Sequence, residues 1–310
     1  MDHGKLYTLT VKKKPSERVA RQLIEEKIAQ GGPATPSMSF RIAAFKYIGV
    51  KDNVLSPSTI RGYNSIVRNM PDDFLDMDIS DIRSYEVQKL INDYAQDHSA
   101  KSTGNLHGFV SAVLAMFCPE VHIRTTLPQK PRKQAYTPSY DDVKTLLEHA
   151  RGTEFYAALY LAALSLRKSE ILALTLDDLN GDELTINKAL VRAENGFTLK
   201  PTPKTDASNR VIVLPHDLAE YIREQGYIYR RYPDQIDKYM RRHLPKLGIP
   251  FFSLHKMRHF FASYSHELGY SDAMIQSLGG WSTDTVMKRV YRHALNEDSA
   301  RKEIASDFSF

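Results

Sequence analysis

The sequence predicts a mainly α protein with a small antiparallel β-sheet, arranged as two domains behind a short N-terminal appendage. Three observations carry this. Apolar residues recur at helical spacing through most of the chain, as in "SYEVQKLINDYAQDH" and "SLHKMRHFFASYSHELG". Strand-like text is confined to "DELTINKALVRAENGFTLKPTP" and "NRVIVLP". A length of 310 residues exceeds what one compact core usually serves, and a single stretch rich in Pro, Lys and Arg, "TTLPQKPRKQAYTP", divides it.

The appendage, residues 1–32, opens with "KLYTLTV", which alternates as a strand does. A helix follows, started by Pro15 and Ser16, spaced through Val19, Leu23 and Ile28, and stopped by Gly31–Gly32. One strand cannot form a sheet alone, so the segment reads as a remnant of something larger or as borrowing a partner. Residues 33–128 are helical with short breaks. "SMSFRIAAFKYIGV", "SPSTIRGYNSIVRNM", "SYEVQKLINDYAQDH" and "KSTGNLHGFVSAVLAMF" make four amphipathic helices, enough to enclose a small core. Arg41, Lys46, Lys51, Arg61, Arg68 and Lys101 lie on their turns and polar faces, either as a solvated basic surface or as contacts for a polyanion. Residues 129–137 form a basic linker, and the second domain runs from 138 to 310. It opens with the capped helix "TPSYDDVKTLLEHA" and the buried helix "EFYAALYLAALSL". The strand segments follow, and helices resume at "PHDLAEYIREQGYIYRR", "IDKYMRRHLPKLG", "SLHKMRHFFASYSHELG", "SDAMIQSLGG" and "TDTVMKRVYRHAL".

A net charge of +5 permits a polyanionic partner without requiring one. The single cysteine, Cys118, can form neither an internal disulfide nor a zinc site, which points to a reducing cytosol. No apolar run fits a signal peptide or a membrane span, so a bacterial cytosolic protein is expected. The phosphate-binding loop, the dinucleotide turn, the hydrolase elbow and the zinc-protease helix are all missing from the text.

What remains is a scattered set of phosphate-friendly residues. Arg167, in "ALSLRKSEIL", emerges from a buried helix with Glu170 one turn on, so it either pairs with that carboxylate or meets an anion. Lys204, in "KPTPKTDASNRVIVLP", falls in the turn of an expected hairpin. Such a lysine is ordinarily solvated, yet it can deliver a proton if a pocket lowers its pKa. His255 and Arg258 in "HKMRH" share a helical face. Trp281 is the only tryptophan, either core or an N–H donor. Tyr291, in "VYRHAL", would by itself be read as a packed helix tyrosine.

Taken in order, Arg167, Lys204, His255 with Arg258, Trp281 and Tyr291 resemble the tyrosine recombinases, the integrase family of phages and conjugative transposons. "SLRKSEILALTLDDL" is similar to that family's first arginine box, "PKTDASNRVIVLP" to its lysine hairpin, "LHKMRHFFASYSHELGYSDAMIQSLGGW" to its second box and "VYRHAL" to its nucleophile segment. The family usually has histidine where Trp281 stands, and both side chains offer an N–H. The resemblance covers about residues 37–295.

The resemblance implies a C-shaped clamp in which a helical core-binding domain and a mixed α/β catalytic domain grip duplex DNA. Tyr291 would attack a backbone phosphate, leaving a 3′-phosphotyrosyl link and a free 5′-hydroxyl. Arg167, Arg258 and Trp281 would hold the non-bridging oxygens. Lys204 would protonate the leaving oxygen, His255 would assist proton removal from Tyr291, and Glu170 would orient Arg167. An ester replaces an ester, so neither a cofactor nor a metal is implied. The expected partners are double-stranded DNA core sites, further copies of the chain from dimer to tetramer on DNA, and an accessory excision protein. Residues 1–32 would be the remnant of an arm-binding domain. Two alternatives stay open: a type IB-like topoisomerase, and a helical DNA-binding regulator without chemistry. The tail "NEDSARKEIASDFSF" favours recombination over the topoisomerase, because the family docks such tails into a neighbouring protomer.

Overall fold

A computed structural model of the chain describes residues 19–21, 38–129, 136–201 and 209–281. The strand expected at 5–11, Lys204 and Tyr291 lie outside the described residues, as does all but residues 19–21 of the appendage helix. The chain divides into two compact units that meet at Pro131 and Arg132.

In the first unit, serine hydroxyls set where helices begin, because each accepts an N–H that the first turn leaves without a partner. Ser39 starts α1 (Phe40–Lys51), and Ser56 starts α2 (Pro57–Arg68), where Pro57 fills the first-turn position that needs no N–H. A short α3 (Asp72–Leu75) precedes α4 (Ser84–Asp97). Ser99 then starts α5 (Ala100–Phe117). Sequence periodicity predicted four helices here and missed α3. One turn in "PDDFLD" is too short to show a period, and it forms because Phe74 and Leu75 are buried, with the Phe74 ring 5.1 Å from that of Phe40. Phe40, Ala43, Ala44, Tyr47 and Ile48 of α1 share one core with Leu106, Phe109, Val110, Val113 and Leu114 of α5. Each large side chain so buried contributes about 1.5–3 kcal/mol. The start of the Pro-rich segment is tied to this unit: Thr126 N–H donates to the Gln88 side chain at 2.7 Å. Of the basic residues read as facing solvent or a polyanion, Arg41 lies on the surface with its charge paired, to Asp72 at 2.6 Å and Asp76 at 2.8 Å.

The second unit begins at α6 (Tyr140–Ala150), where Ser139 and Asp142 cap each other's backbone N–H groups. Next comes α7 (Tyr156–Ala163), in which Ala157, Ala158, Leu159, Leu161, Ala162 and Ala163 are all buried. The one-turn α8 (Lys168–Ile171) leads through a 3-10 turn to β1 (Leu179–Asn180), β2 (Glu183–Ile186), β3 (Lys188–Ala193), β4 (Gly196–Pro201) and β5 (Arg210–Val213). Among the described residues four helices follow: α9 (His216–Gln225), α10 (Gln235–His243), α11 (Leu254–Glu267) and α12 (Asp272–Gly279). Gly226, in a left-handed conformation at φ 76°, ends α9 earlier than the sequence pattern through "YIYRR" suggests. The main core gathers Leu146, Leu159, Ile171, Leu184, Ile212, Ile222, Met240 and Met257 from these elements, and it buries all of α7 except the partly exposed Tyr156 and Tyr160.

The β structure departs from the expected single sheet. β1, β2 and β5 form one antiparallel sheet in that order, while β3 pairs only with β4. β3 and β4 fold back through a two-residue turn at Glu194–Asn195 and satisfy each other, leaving β2 open to β5. The segment containing Lys204 therefore joins strands of two different sheets and does not close a hairpin between its neighbours.

Candidate active site

Two helix ends build the site. At the end of α7, Leu166 N–H reaches the Leu161 carbonyl at 3.0 Å and Ser165 N–H reaches Ala162 at 3.0 Å. At the end of α12, Trp281 N–H reaches Gln276 at 3.1 Å and Gly280 N–H reaches Ser277 at 3.2 Å. Both are Schellman turns, with Ser165 at φ 75° and Gly280 at φ 65° in the left-handed position. That conformation turns the carbonyl of each residue away from its helix, and each carbonyl accepts from a guanidinium. Arg258 Nη1 donates to Ser165, and Arg167 Nη2 donates to Gly280 at 2.5 Å. The negative end of each helix dipole supports the cation it holds.

Arg258 lies on α11 and is 2% exposed. Among the described residues no carboxylate pairs with it directly. Its guanidinium carbon sits 4.5 Å from the centre of the Trp281 ring, a desolvated cation–π contact that contributes about 2 kcal/mol. Burial, and the positive charge of Arg167, pull its pKa down to about 9, so it stays charged at neutral pH. A buried cation with no counter-ion of its own calls for an anion.

Arg167 caps α8, with its N–H donating to Glu170 at 2.9 Å and its Nη1 to the same carboxylate at 2.6 Å. Glu170 is 2% exposed and also takes Arg210 Nη2 at 3.0 Å. Burial by itself would raise the Glu170 pKa; hydrogen bonding from Arg210 and the charges of Arg210 and Arg167 overcome that and hold it below the usual carboxylate range. Among the described residues, one carboxylate set among Arg167, Arg210 and Arg258 leaves an excess of positive charge.

His255 occurs one turn before Arg258, with its ring 5.4 Å from that of His259. Its surface is exposed, yet desolvation by its neighbours and the charges of Arg258, Arg167 and Lys256 lower its pKa below the ordinary histidine value, which favours the neutral ring. His259 is buried further and sits near Lys256, which brings it down to about 4.

Trp281 is buried against Phe261, Ala262 and Ile275, and its ring lies over Gly279, where any side chain would run into it. Of the residues singled out in the sequence, Arg167, Glu170, His255, Arg258 and Trp281 thus come together around one patch. The structure makes the Arg167–Glu170 pair and keeps the anion reading as well, because Arg210 shares the carboxylate. Lys204 and Tyr291 lie outside the described residues. Among the described residues no three His, Cys, Asp or Glu side chains converge as metal ligands, and no helix is long and apolar enough to cross a membrane.

Sequence reasoning did not single out Arg210, although "NRVIVLP" contains it. Arg210, Ile212 and Leu214 point inward, while Val211 and Val213 are 52% and 72% exposed. Apolar residues on both faces hid the alternation that would have placed Arg210 inside.

No family model matches the chain. A tyrosine recombinase described as XerC-like, from Caldanaerobacter subterraneus subsp. tengcongensis, is 23% identical over 292 residues, covering 77% of this chain and 75% of the relative. The Tn1549 transposon integrase, solved with transposon right-end DNA, superposes with a TM-score of 0.70 at 17% identity over 87% of this chain and 99% of that one. The lambda integrase, solved as a dimer on a core site, superposes with a TM-score of 0.61 at 17% identity over 82% of this chain and 95% of that one. The fold is that of the tyrosine recombinases. Within that class, the chain resembles the integrases of phages and transposons.

Proposed function

We propose that the chain is a site-specific DNA recombinase, the integrase of a mobile element, acting in the cytosol through its domains at 33–128 and 138–310. The single observation that carries this is the buried positive charge of Arg258, which has no carboxylate partner among the described residues and lies against the Trp281 indole on the helix that also carries His255. The set suits a phosphodiester that gains negative charge in its transition state. The relatives solved on DNA, including a lambda integrase tetramer on a Holliday junction, support the same reading for this chain, with several copies acting on duplex DNA.

In this reaction Tyr291 Oη bonds to phosphorus and the P–O5′ bond breaks, giving a 3′-phosphotyrosyl link and a 5′-hydroxyl. A free tyrosine is only about 0.1% phenolate at neutral pH, a deficit of roughly 4 kcal/mol. The phosphate and the two guanidiniums offset that deficit once DNA is docked, and His255 takes the phenol proton. Arg167, Arg258 and the Trp281 N–H hold the non-bridging oxygens, each such donor worth about 10²–10³ in rate. Lys204 protonates O5′, worth about 10²–10⁴. Attack by the 5′-hydroxyl of a second duplex reverses the chemistry and rejoins the strand.

The test is incubation with nicked duplexes made from the sequences flanking the gene, which trap the intermediate by releasing the short strand. A covalent adduct is expected with the wild-type chain and none with Tyr291→Phe. No adduct from any flanking sequence would reject the enzyme.

A further inference from the structure

Arg210 has no role in the reaction derived above, yet it is more deeply built into the site than Arg167. Its side chain is 7% exposed, against 34% for Arg167. It makes a fork: Nη2 and Nη1 donate to Glu170 at 3.0 and 3.4 Å, and Nε donates to the Leu278 carbonyl at 3.1 Å. Leu278 lies in the last turn of α12, two residues before the Gly280 carbonyl that holds Arg167 and three before Trp281. Two arginines from separate elements therefore grip both the same carboxylate and the same helix end.

This arrangement has two physical effects. Paired with Arg167 alone, the Glu170 carboxylate would neutralise it and draw it away from an anion. Shared with Arg210, it leaves Arg167 with charge to spare. The bond to Leu278 also fixes the helix end from which the Trp281 ring projects against Arg258.

We propose that Arg210 is a positioning residue of the active site, sharing Glu170 so that Arg167 stays available to a phosphate and holding the end of α12 so that Trp281 stays in place. The proposal rests on the recombinase reading for its catalytic consequence, but its geometric half can be read without any DNA. Trp281 is the only tryptophan in the chain, so fluorescence excited at the red edge, beyond the absorption of the 17 tyrosines, reports on this position.

The experiment compares the full-length wild type with Arg210→Gln and Arg210→Lys, well below their melting transitions. Lysine keeps the charge but has no fork to reach both Glu170 and Leu278. In both variants the Trp281 emission is expected to shift to the red and become easier to quench with acrylamide, glutamine more than lysine. On the nicked duplex that gives an adduct with the wild type, the rate constant at saturating protein is expected to fall about 100-fold with glutamine. DNA affinity is expected to stay within about threefold, because one group among many phosphate contacts has moved. A merely structural role would lower the melting temperature and leave emission and saturating rate in place. Wild-type emission in a folded variant overturns the proposal, as does a saturating rate within about threefold of wild type. Should Arg210→Gln not fold, Arg210→Lys is judged by the same two readouts. A wild type that forms no adduct would sink the recombinase reading, and the emission result would still decide the Arg210 geometry.

Discussion

Ser165 is the residue whose local cost is easiest to see. It holds φ 75° where glycine is the usual choice, and its buried hydroxyl has no hydrogen-bond partner among the described residues. The left-handed conformation costs a non-glycine residue about 1–2 kcal/mol, and the stranded hydroxyl about 1–3. The carbonyl that holds Arg258 belongs to the backbone, so it survives a change of side chain. Ser165→Gly should therefore raise unfolding stability by about 1 kcal/mol after the roughly 0.5–1 kcal/mol entropic cost of glycine. A denaturant midpoint at or below that of the wild type would contradict it. Two of the three histidines of α11, His259 and His255, make a second prediction at this scale. His259 binds a proton only near pH 4 when folded, against about 6.5 when unfolded. The unfolded chain thus takes up the proton first as pH falls. Stability is complete above about 6.5 and declines toward about 4, by at most about 3 kcal/mol. His259→Asn should flatten that slope in urea titrations run across the window. If His255 takes the phenol proton as proposed, its lowered pKa is expected to move the acid limb of strand cleavage below the ordinary histidine value. A cleavage rate already halved at about pH 6.5 would contradict that role.

Among the elements, α12 stands out, because its C-terminal turn does three things at once. Its Leu278 carbonyl holds Arg210, its Gly280 carbonyl holds Arg167, and its Gly279 leaves room for the Trp281 ring. A methyl group at 279 would occupy the space of the indole. Gly279→Ala should keep the helix, since alanine is the better helix former by about 1 kcal/mol, while displacing Trp281 from Arg258. The expected result is unchanged helical circular dichroism with altered tryptophan emission and a lower adduct yield. Unaltered emission would show that the ring is not seated there. The β3–β4 pair illustrates a different lesson. By satisfying each other, these strands leave the segment around Lys204 bounded by two separate sheets.

For the whole molecule, the proposed reaction sets the expected response to solution conditions. A protein that neutralises several phosphates loses affinity steeply with salt, about 10³-fold between 50 and 200 mM for six or more contacts. Binding of the flanking duplex is expected to follow that trend, with adduct formation unchanged by EDTA and without ATP. Affinity flat across this range would remove the phosphate-clamping account. Arg41, tied to Asp72 and Asp76, is not expected to contribute to the salt slope.

The sequence by itself determined the helical plan of both units, because helical spacing and serine caps are local signals: Ser39, Ser56, Ser99 and Ser139 each sit where a helix starts. It also marked Arg167, Glu170, His255, Arg258 and Trp281, through short stretches whose residue types suit a phosphate. Only the tertiary structure decided what holds them. Arg258 meets a carbonyl 93 positions away, Arg167 one 113 away, and Arg210 a carboxylate 40 away. Two of those partners are backbone carbonyls, which carry no mark in the sequence, and the third, Glu170, is shared with Arg210, whose inward phase was masked by the valines beside it. Pairing between strands was equally out of reach, since β2 lies between β1 and the distant β5 while β3 pairs with β4. Periodicity records which face of an element is buried; what the face is buried against depends on chain segments that only folding brings together.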